Sequence, residues 1–318
     1  MKNRDEYIYE LQAKFKSLDR QLWENKVNLP LVEKWYMQFR SHPNVEDDEQ
    51  IQMLFLASHF MYFGQREVRA LLKSLFRDLY QYKIIENIRR DNRDTIDRAV
   101  ITPLFDRALS KTRFIGIGSP SESGSFLLYP FRQVNNLSVN HFVASQHILS
   151  RHGWKGLFRK KVSDETIDHY VFIDDLCGSG TQVEQYSRTI LRPLQRLNPA
   201  ARVYYFPLVA TDQGLSEVRK LSRFDEVATV IELDESFKCF SDLSRIYKNK
   251  QAPFDRSRAK LISHEYGRRL WGAHPLGWKD GQLLLGFNHN TPDNTLPIMW
   301  FGEPGSGWTP LFKRSHKR

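Results

Sequence analysis

Apolar positions in the first third of the chain recur at helical spacing. Tyr7, Leu11, Phe15, Leu18 and Leu22 fall three or four residues apart, and Val68, Leu71, Leu72, Leu75, Phe76 and Leu79 repeat the pattern with charges between them. Such intervals place one apolar stripe along a helix, so residues 1–110 are expected to form a helical N-terminal region, punctuated at Pro30 and Pro43. The pattern then changes period. Arg113 to Gly118, Tyr170 to Ile173, Val203 to Ala210 and Val227 to Leu233 are short runs rich in β-branched and aromatic residues without polar alternation, as strands covered on both faces require. Helical spacing returns between them: Val183, Tyr186, Ile190 and Leu191 predict a helix ending before Pro193, and another is expected from Leu215. This strand, loop and helix order predicts an α/β fold with a doubly wound parallel sheet over residues 111–318. Gln282 to Phe287 and Ile298 to Trp300 read as further apolar strands, in a C-terminal hood or strand-rich extension.

The richest chemistry lies at one of those strand ends. The segment from Val171 to Gln182 reads Val-Phe-Ile-Asp-Asp-Leu-Cys-Gly-Ser-Gly-Thr-Gln, an apolar run meeting two adjacent acids and then a small loop. In open α/β sheets the ligand crevice lies just outside the carboxyl ends of the strands. Ionised carboxylates only accept hydrogen bonds, so Asp174 and Asp175 suit the two donors of a ribose diol. Gly178, Ser179, Gly180 and Thr181 form a turn whose backbone N–H groups can converge on an anion, with the following helix adding positive potential. The same residues would also serve as an acidic turn and a helix cap. Two acids directly before Gly-Ser-Gly exceed what capping requires.

Other polar segments border predicted strands. Ser119, Pro120, Ser121, Glu122, Ser123 and Gly124 follow the first strand and could offer hydroxyls and closely approaching amides to an anion, or simply connect strand to helix. Asp234 and Glu235 end the Val227–Leu233 run, as a substrate contact or a solvated turn. Asn288, His289, Asn290, Thr291 and Asn294 crowd the stretch before Pro297. Such amides and hydroxyls could read a base edge, or could bond their own backbone in a turn.

Composition narrows the partners. An apolar content of 41% with 13% aromatics supports a sizeable core, and the net charge of +10 favours acidic partners. Basic residues gather at Arg89, Arg90, Arg93 and Arg98, between Arg151 and Lys161, and between Lys313 and Arg318. Trp154 and Phe158 lie among the second group, which would suit base stacking with phosphate contact. No window resembles a membrane helix, and the start of the chain lacks a signal-peptide apolar region. A cytoplasmic protein without a membrane partner is expected. Cys177 and Cys239 are too few for a zinc site or a disulfide framework, and Cys177 reads as a small residue packed under the turn.

The Val171–Gln182 segment resembles the phosphoribosyl pyrophosphate motif of type I phosphoribosyltransferases. With the Gly-Ser-Pro-Ser-Glu-Ser-Gly loop and the Asn-rich block, it is similar to a narrower family, the phosphoribosyltransferase-like proteins of bacterial conflict systems. The resemblance implies that Asp174 and Asp175 hold the ribose hydroxyls at the catalytic centre, and that Leu176, Cys177, Gly178, Ser179, Gly180, Thr181 and Gln182 surround the 5-phosphate. It places pyrophosphate at Ser119, Ser121, Glu122, Ser123 and Gly124, and an acceptor near Asp234, Glu235 and the Asn288–Asn294 block. Mg²⁺ would be the cofactor, held mainly through the ligand. Gln182 stands where the motif usually has a hydroxyl. The resemblance further implies an effector of anti-phage defence, such as a retron system, with a reverse transcriptase and non-coding RNA or DNA as partners. A second reading stays open, a non-catalytic module that senses a nucleotide and binds nucleic acid or protein.

Overall fold

The computed structural model describes residues 2–118, 123–154, 157–248 and 252–314, with the side chains of residues 123 and 151–159 outside the described set. The chain divides into two compact units, one made of Met1–Glu67 with Leu233–Arg318 and the other of Val68–Glu232.

The first unit opens with α1 (Arg4–Gln21), α2 (Leu29–Tyr36) and α3 (Glu49–Ala57), each started by a side-chain cap from Asn3, Asn28 or Asp48. At α1 the cap is reciprocal: Asn3 accepts from the Glu6 N–H at 3.0 Å, and Glu6 accepts from the Asn3 N–H at 2.8 Å. The predicted stripe of α1 is buried at Leu11 and Phe15, while Leu22 lies just past the helix and is exposed. A short strand, β1 (Met61–Phe63), follows. Three residues are too few to display a period, which is why this strand was not separable from the helices around it.

In the second unit, α4 (Gln65–Ser74) continues through a π-helical segment (Leu75–Gln81) into α5 (Tyr82–Asp91), then α6 (Arg98–Ser110). The five-stranded sheet contains β2 (Thr112–Gly116), β5 (His169–Cys177), β6 (Arg202–Thr211) and β7 (Glu226–Val227), hydrogen-bonded in the order β2-β5-β6-β7 and all parallel, with β8 (Ile231–Leu233) also paired to β6. Between β2 and β5 come α7 (Ser123–Val134) and an antiparallel hairpin, β3 (Leu149–Trp154) with β4 (Leu157–Val162). Helices α8 (Thr181–Tyr186), α9 (Arg192–Leu197) and α10 (Asp212–Lys220) complete the connections.

Helices cover both sheet faces, as strand patterning without polar alternation demands. On one face Phe114 meets Phe131, Phe76 and Tyr80 in an aromatic cluster with ring centroids 5.0 to 6.1 Å apart. On the other, Ile115, Phe172, Val203 and Tyr205 pack with Val183, Tyr186, Leu191 and Leu194 from α8 and α9 and with Leu215 and Val218 from α10. The α/β class with a parallel sheet is therefore present.

Several elements differ from the sequence expectation. The helix predicted to end before Pro193 continues to Leu197, because a π segment (Ser187–Leu191) intervenes and Pro193 sits in the first turn of α9. The run Val227–Leu233 is broken into β7 and β8 (Ile231–Leu233), with the Thr229 hydroxyl donating to the carbonyls of Pro207 and Ile231 between them. Residues 151–154 and 157–161 of the basic stretch belong to the paired strands β3 and β4, and the aromatic side chains of Trp154 and Phe158 lie outside the described set.

The chain then returns to the first unit with α11 (Arg256–Leu270), β9 (Leu285–Phe287) and α12 (Pro297–Trp300). β9 pairs in parallel with β1, Tyr62 opposite Gly286. Ile298–Trp300, expected as a strand, is a short helical turn started by Pro297. Trp35 donates to the Ile298 carbonyl at 2.8 Å, and Phe60 stacks on Phe312 at 3.8 Å. The first and last parts of the chain thus share one core, and the boundary expected at residue 110 does not coincide with the division observed. Periodicity finds helices but not the partner each one packs against. Among the described residues no helix is long and apolar enough to cross a membrane.

The sheet core should dominate stability of the second unit. Phe114→Ala removes a fully buried ring and is expected to lower unfolding free energy by about 3–5 kcal/mol in denaturant titration. Val139→Ala, at a residue 66% exposed, should change it by no more than about 0.5 kcal/mol.

Candidate functional site

β5 does not stop at its acids but runs on to Cys177, pairing Asp174 with Pro207, Leu176 with Val209 and Cys177 with Ala210 of β6. Both carboxyl groups are consequently buried, Asp174 at 2% exposure and Asp175 at 7%. Asp174 Oδ1 accepts from the Asp175 N–H at 3.0 Å, and its Oδ2 accepts from the Tyr205 hydroxyl at 3.3 Å. Asp175 Oδ1 accepts from the Leu176 N–H at 2.8 Å. Burial, reinforced by the neighbouring Asp175 charge, pushes the Asp174 carboxyl well above the usual carboxylate range.

The turn after β5 is shaped from below by α10. Thr211 caps that helix, accepting from the Gly214 N–H at 2.9 Å while its hydroxyl donates to the Gly178 carbonyl at 2.5 Å. A Cβ on Gly214 would stand 2.5 Å from the Cys177 carbonyl oxygen and 2.7 Å from that of Gly178. Those two carbonyls therefore face α10. In a trans peptide the N–H points opposite to the C=O, so the N–H groups of Gly178 and Ser179 are turned away from α10, as an anion cradle requires. Gly180, with φ 71°, occupies the left-handed region and sits against Glu217 and Val218. Ser179 and Thr181 hydroxyls lie 3.0 Å apart at the start of α8, and Gln182 is exposed in its first turn.

Cys177 is buried, and its thiol is pushed up to about 12 by burial. It is held in the neutral form and packs under the turn, in keeping with the sequence expectation.

Ser119, Ser121 and Glu122 lie outside the described residues, as does the Ser123 side chain. Gly124 is described, in the first turn of α7. A Cβ there would come within 2.4 Å of the Ile117 oxygen and 3.1 Å of the Ile173 oxygen, so only glycine lets that turn press against Ile117, just past β2, and against β5 at the residue preceding Asp174.

Asp234, Glu235 and the Asn288–Asn294 block belong to the first unit, whereas Asp174 to Gln182 belong to the second. Asp234 caps a short turn, accepting from the Ser236 hydroxyl and from the Ser236 N–H at 2.9 Å, and these two contacts hold its carboxyl below the usual range. Glu235 is the first residue of that turn. In the Asn-rich block, Thr291 donates to the Phe312 carbonyl at 3.0 Å, Asn294 to the Trp278 carbonyl at 3.2 Å, and Asn288 Oδ1 lies 3.1 Å from His289 Nδ1. The Phe287 N–H bonds the Asn290 carbonyl at 2.8 Å. These polar groups tie the loop to its surroundings.

Sequence reasoning missed Tyr205, Thr211 and Gly214. Tyrosine hydroxyls inside a buried strand and a glycine in the first turn of a helix were the available signals, since each carries a cost that some contact must justify.

A family model, PRTase-CE, matches residues 32–314 and so spans both units. Among solved structures, the chain is similar to the AQ2163 protein from Aquifex aeolicus, at 12% identity over 65% of this chain and 86% of that one, with a TM-score of 0.29. It is also similar to orotate phosphoribosyltransferase from Aeropyrum pernix (16% identity, 43% and 73% covered, TM-score 0.25) and to the xanthine-guanine-hypoxanthine phosphoribosyltransferase of Helicobacter pylori (8%, 53% and 84%, 0.27). No curated protein matches it.

Two outcomes check this geometry. Gly214→Ala should destabilise the fold by about 1–3 kcal/mol in thermal or denaturant melts, because its methyl group meets backbone rather than a movable side chain. Cys177 and Cys239 are both buried, and burial raises both thiols. The folded chain should therefore resist iodoacetamide even at pH 9.0, the ordinary thiol value, and both cysteines should react after unfolding.

Proposed function

The chain belongs to the PRTase-CE family, and on that premise we propose that its second unit binds phosphoribosyl pyrophosphate, or a related ribose phosphate, at the end of β5. The observation that carries this reading is the placement of Asp174 and Asp175 directly before a turn whose carbonyls at Cys177 and Gly178 face α10. A diol acceptor and an outward-facing pair of peptide N–H groups are then consecutive along the chain, as the ribose and its 5-phosphate are consecutive in the ligand.

The reaction is transfer at ribose C1. The bond from C1 to the pyrophosphate oxygen breaks, pyrophosphate leaves with the bonding pair, and a lone pair of the acceptor forms the new bond at C1. Positive charge develops on the ring during this exchange, and a carboxylate held beside the diol stabilises it. Oxygen-rich pyrophosphate and hydroxyl groups suit Mg²⁺, and the ion when bound would offset leaving-group charge. The ligand itself would supply most of its coordination. The segment from Ser119 to Gly124 is proposed for the pyrophosphate. The resemblance to conflict-system proteins supports a role as an effector in anti-phage defence, such as a retron system, where a reverse transcriptase and its nucleic acid would be the partners.

Gln182 favours a second reading, a pocket that senses the nucleotide without turnover, because an amide stands at the place of the usual hydroxyl. Incubation with phosphoribosyl pyrophosphate and Mg²⁺ separates the two. Pyrophosphate release that is abolished in Asp175→Ala is the result expected of the enzyme. Tight binding without release under any acceptor would leave the sensor, and binding unchanged in an Asp174→Ala/Asp175→Ala double variant would remove the site from both.

A further inference from the structure

The tryptophans of the first unit differ in where their indole N–H groups go. Trp35 and Trp308 donate to the Ile298 carbonyl at 2.8 and 3.1 Å, and Trp300 donates to the Thr295 carbonyl at 2.8 Å. Trp271 and Trp278 donate to no group among the described residues, and their nitrogens are not sealed in the interior. An indole with an apolar body and one wet end is a feature of contact surfaces. Both rings are half-buried and nearly parallel, 21° apart in plane with centroids 6.3 Å apart. His274 stands at the corner between them, 4.6 Å from Trp271 and 4.3 Å from Trp278. Buried Trp300 meets Trp271 edge to face at 5.4 Å and backs the group from inside.

The segment carrying these rings is held by main-chain contacts. The Trp278 N–H bonds the Asp293 carbonyl at 2.7 Å, and Asn294 donates to the Trp278 carbonyl at 3.2 Å. Gly277, at φ 94°, lies in the left-handed region, and a Cβ there would run into the Asn294 carbonyl oxygen. The rings are therefore ordered before any partner arrives, which lowers the entropic cost of binding. A cation flanks them on each side along the chain, Arg268 in the last turn of α11 and Lys279 directly after Trp278. Both are exposed, and among the described residues neither has an acidic partner. Asp280, the next residue, accepts from the Gln282 amide at 2.9 Å.

We propose that Trp271, His274 and Trp278 form a stacking site for unpaired bases of a single-stranded nucleic acid, with Arg268 and Lys279 meeting its phosphates. Every base has a face that stacks on an aromatic ring, and cations set among such rings follow the backbone, so the combination holds single strands without reading their sequence. The indole N–H groups left open can donate to base carbonyls or phosphate oxygens. Unpaired cations at the rim disfavour the other use of an aromatic cluster, the capture of a cationic ligand. The net charge of +10 draws the same acidic partner. This site lies wholly in the first unit and stands independently of the ribose-phosphate reading.

Fluorescence anisotropy of the full chain with a labelled oligothymidylate of about twelve nucleotides, within the span such sites cover, tests the proposal. The single strand should bind at least about tenfold tighter than a duplex of equal length and should quench indole emission. Trp271→Ala and Trp278→Ala should each lower affinity at least about fivefold, the effect of losing one base stack, while Trp278→Phe should keep most of it. Lys279→Gln should weaken binding and reduce the slope of log affinity against log salt by about 0.7. That exposed substitution keeps the test open where a tryptophan variant does not fold. Absence of single-strand binding, equal binding of the duplex, or affinity unchanged in both alanine variants, as for a strand held on the basic β3/β4 hairpin, would overturn the site. So would quenching saturated by thymidine monophosphate with nothing gained by the strand, or tight binding of a proline-rich peptide in the strand's place.

Discussion

Everything proposed for this protein depends on the parallel pairing of β5 with β6. β5 lies between β2 and β6, so both of its edges are paired, while helices cover its two faces and its sequence is apolar from Tyr170 to Ile173. Carrying that strand on through two acids is costly, since burying a polar group without a partner opposes folding by about 1–3 kcal/mol. β6 supplies the compensation. Its Tyr205 stands opposite Phe172 and reaches Asp174, and its end at Thr211 both caps α10 and bonds the turn after β5. A single strand and the helix after it thus support the acids and the turn.

Much of this frame was legible because its elements are long and strongly patterned. α1, α4, β2, β5 and β6 each carry enough residues for a period of 3.6, or its absence, to be seen. Elements of three or four residues were not. β1 and β9 pair only with each other, and their Met61–Phe63 and Leu285–Phe287 segments are too short to announce themselves. α12 follows Pro297, whose fixed φ suits the first turn of a helix as well as the edge of a strand. The division into units was hidden for a different reason. Trp35 bonding the Ile298 carbonyl joins residues far apart in sequence, and no local pattern encodes such a closure.

The site shows the same split between local and distant information. Asp174 to Thr181 could be read directly because the acids, the glycines and the following helix are contiguous. Tyr205, Thr211 and Gly214 act through the register of β6 against β5, which a single sequence does not display. In the Asn288–Asn294 block, local composition leaves two uses open. Its density of amides looks like a recognition surface, yet Thr291 and Asn294 are buried and donate to main-chain carbonyls. Polar richness in a loop measures how many backbone groups must be satisfied there as readily as it measures ligand binding.

The two buried acidic pairs give the sharpest way to tell these cases apart. Asp48 and Glu49 are accompanied by arginines, and Asp48 in addition caps α3 through the N–H groups of Gln50 and Ile51. Their charge is matched within the fold, as a structural pair requires. At Asp174 the fold provides hydrogen bonds but no opposite charge, so the burial that stabilises its neighbours works against its ionisation. A fold optimised only for stability would replace that acid with an apolar residue continuing the Val171–Ile173 run. Its presence at the head of a glycine turn opposes stability, at a place where the Tyr205 hydroxyl and the Asp175 N–H satisfy its oxygens.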